Sequence, residues 1–121
     1  MLTHELLHDQ GVLKLKPKGK LKAGDFQALA ATVDPYLERK GKLKGILLEA
    51  VKFPGWENFA GLLSHLRFVK DHHKKVRRIA IVSDGKLLKV APKIAKHFVS
   101  AEVKRFEAGD AAAALAWIQS P

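Results

Sequence analysis

Residues 45–68 read GILLEAVKFPGWENFAGLLSHLRF, and the fold turns on how that stretch divides. Gly45-Ile46-Leu47-Leu48-Glu49-Ala50-Val51 is too short and too continuously apolar for a strand with one face in water. It predicts a strand in the middle of a sheet, covered on at least one face. Pro54 stops that strand, because it has no N–H for a ladder and fixes its own φ, and Gly55 permits a tight corner. Beyond the corner Trp56, Phe59, Leu62, Leu63 and Leu66 recur at helical spacing, which predicts a helix packed through that stripe.

Upstream, residues 2–10 and 11–21 read as the two strands of a hairpin. Gly11 punctuates the pattern, and Val12-Leu13-Lys14-Leu15-Lys16 alternates apolar with basic. Lys14, Lys16 and Lys18 then share one face, as a strand with a wet side or an edge protected by lysines. Phe26, Leu29, Ala30, Val33 and Leu37 are spaced as an amphipathic helix ending at Arg39-Lys40-Gly41, with Pro35 set to kink it or split it at Asp34. Downstream, residues 71–75 form a polar connection into a second apolar run, Arg77-Arg78-Ile79-Ala80-Ile81-Val82. Ser83-Asp84-Gly85 is a turn and helix cap. Residues 86–99 are helical in pattern with Pro92 inside, 102–106 form a last strand, and 108–118 form an Ala-rich closing helix. That helix has Asp110 near its first turn and Ala112, Leu115, Trp117 and Ile118 available for packing. Helices between the later strands imply right-handed crossovers and parallel pairing. The expectation is an α/β fold, residues 1–121 as a single domain, with a mixed, mostly parallel sheet of about five strands and about four helices.

A chain of 121 residues with 47% hydrophobic content can bury one core without staples. It has no cysteine, which removes thiol catalysis, Cys-based zinc sites and disulfides and suits a reducing compartment. No apolar run approaches the roughly 18 to 20 residues that span a bilayer, and the first residues lack the pattern of a signal peptide, so the expected location is the cytoplasm. The formal net charge of +10 favours polyanionic partners. Residues 61–121 carry 12 cationic against 5 acidic residues, and residues 1–60 carry 10 against 7, so the excess lies mostly in the second half.

The segments Gly19-Lys20-Leu21-Lys22-Ala23-Gly24-Asp25-Phe26, Phe53-Pro54-Gly55-Trp56-Glu57, Arg78-Ile79-Ala80-Ile81-Val82-Ser83-Asp84, Ala101-Glu102-Val103-Lys104-Arg105-Phe106 and Ala114-Leu115-Ala116-Trp117-Ile118 follow one another as in a known family. In their order and spacing the chain resembles the SpoIIAA-like family, related to the STAS domains of anti-sigma-factor antagonists and sulfate-transporter tails. The resemblance implies a STAS-like sheet with helices, no enzymatic chemistry, and a fold also likened to lipid carriers of the CRAL-TRIO type. Two departures follow. The antagonists carry a phosphorylatable serine where the central strand hands over to its helix, whereas no Ser, Thr or Tyr lies between Val51 and Gly61, so the phosphoswitch does not carry over. Relatives often place a tryptophan early in the helix after Ser83-Asp84, where this chain has Lys86-Leu87-Leu88.

No catalytic constellation stands out, so no enzyme, metal or cofactor is expected. His65, His72 and His73 do not have metal-ligand spacing and read as surface or capping residues. The serines lack a nucleophile elbow, and no Gly-rich loop has phosphate-binding spacing. Two features remain. The Phe53-Pro54-Gly55-Trp56 corner ends a central strand, where open α/β sheets place their ligand crevices. With Phe59, Leu87 and Leu88 it forms a candidate pocket for an apolar or anionic ligand between the second and third helices. Lys86, Lys89, Lys93 and Lys96 align on one helical face beside Leu87, Leu88, Ile94 and Phe98, which suits an anionic membrane surface or an acidic partner. The leading expectation is a non-catalytic binding module associated peripherally with membranes, and the alternative is a protein-interaction module of the STAS kind without a phosphoswitch. Nucleic acid ranks below both, since no base-reading motif or exposed aromatic series accompanies the charge. Oligomeric state is left open.

Overall fold

The computed structural model describes residues 2–50, 57–83 and 101–121, the side chains of Phe59, Leu62 and His73 excepted. Among them, five strands lie in one sheet in chain order: β1 (Leu2–Leu7), β2 (Val12–Pro17), β3 (Leu43–Glu49), β4 (Val76–Val82) and β5 (Glu102–Phe106). β1 and β2 are antiparallel, and every later pair is parallel. The described helices are α1 (Ala23–Lys40), α2 (Phe59–His72) and α3 (Ala111–Gln119), with a 3₁₀ turn at His73–Lys75. The mixed, mostly parallel sheet is therefore the one expected. The helix expected at 86–99 lies outside the described residues.

The hairpin closes as Gln10 and Gly11 both donate to Leu7 O, at 3.1 and 2.9 Å. Gly11 sits at φ 68°, where a side chain would be strained and its Cβ would lie 3.1 Å from the Tyr36 hydroxyl. Lys44 N–H then donates to Gly11 O at 2.8 Å, which fastens the start of β3 to the hairpin turn. β2 is thus an interior strand with one wet side, and β1 and β5 are the edges. Pro35 does not split α1. The N–H it lacks would have served the carbonyl of Ala31, and both residues are exposed, so that carbonyl is left to water.

Right-handed crossovers between successive strands place their helices on one side of a sheet, and α1 and α2 pack there against each other. Their core contains Leu13, Leu29, Val33 and Leu43, all nearly inaccessible. The opposite side is left to α3, which lies over β3, β4 and β5 and buries Ala114 and Ile118 against Val12, Leu47, Ala80 and Val82. Two expectations at this end change. A turn with Gly109 at φ 95° delays the closing helix to Ala111, and Ala112 faces solvent in place of Ala114. The turn closes through Asp110 N–H to Glu107 O at 3.0 Å, and Asp110 then stands as the N-cap residue, its carbonyl accepting from Ala114 N–H at 3.0 Å.

Two adjacent arginines fix the far end of α3. Arg77 Nη2 donates to Ile118 O at 2.6 Å and Ser120 O at 2.8 Å, and Arg78 Nη1 donates to Trp117 O at 2.7 Å and to Ser120 Oγ at 2.6 Å. These bonds satisfy carbonyls that a helix leaves orphaned at its carboxyl end. Arg78 also lies 5.1 Å from the centre of the Trp117 ring and pairs with Glu102 at 3.2 Å, its register partner on β5.

Candidate functional site

The sequence points to a site at the carboxyl ends of the parallel strands. Ala50 N–H donates to Val82 O at 3.0 Å, and Ser83 N–H donates to Phe106 O at 3.2 Å, so β3, β4 and β5 stay joined to the rim. Ser83 is 1% exposed there. The start of α2 is pinned to the same rim. Glu57 N–H donates to Leu21 O at 2.8 Å, and Asn58 Oδ1 accepts from Gly61 N–H at 3.0 Å as a helix cap. Gly61 permits this approach, because a Cβ there would stand 2.6 Å from Leu21 O. The start of α2 and the loop before α1 thus meet at Glu57 and Gly61.

Phe53, Gly55 and Trp56, and likewise Leu87, Leu88, Lys86, Lys89, Lys93 and Lys96, lie outside the described residues. Phe59 is placed as the first residue of α2. At the β5 side of the rim, Arg105 Nη1 pairs with Glu107 at 3.1 Å, while its Nε is buried without a hydrogen-bond partner. The register sets Arg105 opposite Ile81 and Val103 opposite Ile79, which packs on the α1–α2 core. Alternation therefore puts Arg105 on the side of the sheet that faces α1 and α2.

Between α1 and α2 runs a row of four rings. His65 stacks on Phe26 (4.8 Å, 16°), Phe26 meets Phe68 at 6.3 Å, and Phe68 stacks on His72 (4.1 Å, 17°). His72 is buried in α2, not part of a polar connection, with Nδ1 at 2.8 Å from Phe68 O and Nε2 at 2.7 Å from Asp34 Oδ1. Gly61, His65, Phe68 and His72 recur at 4-3-4 spacing, and this is the inner face of α2. The face expected from the leucines is rotated away from it: Leu63 and Leu66 are 37% and 43% exposed. His65 and His72 thus serve the helix interface, and among the described residues no three His, Asp or Glu side chains gather as a metal site.

The SpoIIAA-like family profile matches residues 12–119, which includes every element but the first strand. The chain belongs to the SpoIIAA-like family. An uncharacterized protein of the DUF3478 family from Shewanella loihica PV-4, with a SpoIIAA-like fold, is similar in structure: TM-score 0.73 at 25% identity, covering 98% of this chain and 92% of that one. No curated protein sequence matches the chain. SpoIIAA-like membership supports a binding or regulatory module in general. No helix among the described residues of this SpoIIAA-like chain is long and apolar enough to cross a membrane.

The ring row gives the SpoIIAA-like fold a defined response to acid. Burial lowers the pKa of His65 below its ordinary value of 6.5. The unfolded chain therefore takes up this proton at a higher pH than the folded one, so the stabilisation is complete above about pH 6.5 and is lost as pH falls below it. His65→Phe keeps a ring on Phe26 and removes the titration. Urea unfolding at pH 7.5 and pH 5.0 should show a smaller acid-induced loss in His65→Phe than in wild type, and equal losses would mean that His65 is not the group concerned.

Proposed function

We propose that this SpoIIAA-like chain is a non-catalytic binding module. It takes an apolar or anionic small ligand in the crevice at the carboxyl ends of β3 and β4, between α2 and residues 86–99. It associates peripherally with anionic membranes through Lys86, Lys89, Lys93 and Lys96. The observation that supports the anionic ligand is Arg105 Nε, a buried N–H with no acceptor, on the α1–α2 side of the sheet at the same rim. Leaving such a donor unmade costs about 1 to 3 kcal/mol, and a carboxylate or phosphate would satisfy it.

Two measurements test the halves separately. Native mass spectrometry of protein purified from its own host should show a retained small molecule that Arg105→Gln sheds. Sedimentation with vesicles should show binding to anionic and not to neutral lipid, at about 1 kcal/mol per lysine near the surface, fading as salt rises. A variant with Lys86, Lys89, Lys93 and Lys96 all changed to Gln should lose that binding. No retained molecule and no vesicle binding at low salt would move the weight to a second reading, recognition of another protein without a phosphoswitch. Leu63 and Leu66 favour that reading, being apolar side chains exposed together on the outer side of α2.

A further inference from the structure

We propose that the opposite end of the sheet, where β3 and β4 begin, is a docking surface for the phosphate backbone of a nucleic acid, bound without regard to base sequence. α1 and α2 both finish at this end, so the topology delivers residues 39–44 and 70–77 to a single edge. The register Leu43↔Val76 puts the entries of two neighbouring strands side by side, and Lys42 and Lys75 are the residues that immediately precede them. Lys40, Lys44, Lys70 and Lys74 surround that pair in the chain segments on either side. All six are exposed, and none forms an ion pair among the described residues, although Asp9, Glu38 and Asp71 belong to the same end.

Clustering like charges costs stability, so each cation needs a reason to be there. Compensation of the carbonyl ends of helices supplies one for Lys40 and Lys70, which lie in the last turns of α1 and α2. It leaves Lys42, Lys44, Lys74 and Lys75, which lie past those helix ends. A strongly basic chain, +10 overall, with six exposed lysines gathered on one end has the electrostatic footprint of nucleic-acid binding. A protein partner fits less well, because protein interfaces are depleted in Lys and enriched in aromatic side chains, and no Phe, Tyr or Trp is exposed among the described residues. A lipid surface also fits less well. The exposed large apolar side chains among the described residues, Leu63 and Leu66, sit in the middle of α2, so nothing at this end inserts. The same lack of exposed rings removes base stacking and leaves phosphate neutralisation as the source of affinity.

The test titrates the full chain into a fluorescein-labelled 20-base-pair DNA duplex at 25 to 200 mM salt and reads anisotropy. Each lysine that neutralises a phosphate contributes about 0.9 to the slope of log affinity against log salt. A variant with Lys42, Lys44, Lys74 and Lys75 all changed to Gln should therefore lower the slope by about 3.6 and weaken binding more than tenfold at 50 mM. The Gln variant at 86, 89, 93 and 96 should bind the duplex nearly as wild type does, and a duplex of scrambled sequence should bind as the first does. Lys42, Lys44, Lys74 and Lys75 are all exposed, and melting temperatures no lower than that of wild type will show that the folds are intact. Absence of binding by wild type at 25 mM, unaltered binding by the first variant, or displacement of the duplex by polyglutamate or anionic vesicles at equal charge as readily as by unlabelled DNA would overturn the proposal. The result is independent of the crevice, since vesicle binding and oligonucleotide binding are expected to be lost in different variants.

Discussion

Gly45→Ala is expected to lower the unfolding free energy by about 3 kcal/mol, at the upper end of what overpacking a core costs. The added methyl would lie 2.5 Å from Ile118 Cγ2 and 2.7 Å from the backbone oxygen of Arg78. The first obstacle is a side chain that can shift, but the second is the neighbouring strand and cannot yield without disturbing the β3–β4 ladder. Replacing Gly in a strand interior by a residue with more β propensity would ordinarily stabilise, so the sign of the result is diagnostic. Urea unfolding of Gly45→Ala, Ile118→Ala and the double variant should show that removing both γ carbons of Ile118 makes the two losses less than additive, as residues in contact are coupled. A neutral or stabilising Gly45→Ala would mean that α3 does not lie where it is described.

Ile118→Ala is expected to cost about 3 to 4 kcal/mol, within the range for deleting a buried branched side chain and leaving its cavity. Ile118 is fully buried and is the main apolar anchor of α3. A nine-residue helix is too short to persist alone in water, so its order depends on docking. The arginine bonds from β4 hold its last carbonyls, yet these are donors to a helix end and cannot replace an apolar seat. Hydrogen exchange should therefore show protection lost across residues 111–119 before it is lost in α1, together with the drop in global stability. Protection unchanged in the last helix would contradict this account.

Much of the fold was legible because apolar spacing reports the elements that bury apolar stripes. The alternation at Val12-Leu13-Lys14-Leu15-Lys16, the run at Ile46-Leu47-Leu48 and the 3-4-4 series from Phe26 to Leu37 each fall inside the strand or helix they predict. What escaped was built from residues that such patterns pass over. The inner face of α2 is a glycine, two histidines and a phenylalanine, so the leucines drew the face toward Leu63 and Leu66, which are exposed. His72 depends on Asp34 in another helix, and Gly45 depends on Ile118 in the last one. No local window contains either pair. Arg77-Arg78 likewise read as part of an apolar strand run, when their partners are the final residues of the described chain. Of the expected site, only Phe59, at the start of α2, lies among the described residues.

The unbroken chain order of the strands has a kinetic consequence. Each parallel strand pairs with the one that precedes it, across a single crossover, so no pairing must wait for a distant segment to return between strands already in place. Loop closure is short at every step, and short closures favour rapid formation of a sheet. The β1–β2 hairpin is the most local pairing of all, and the sheet is able to grow outward from it one strand at a time. α3 is the last piece in sequence. It closes its side of the sheet only when β3, β4 and β5 are all present to receive it.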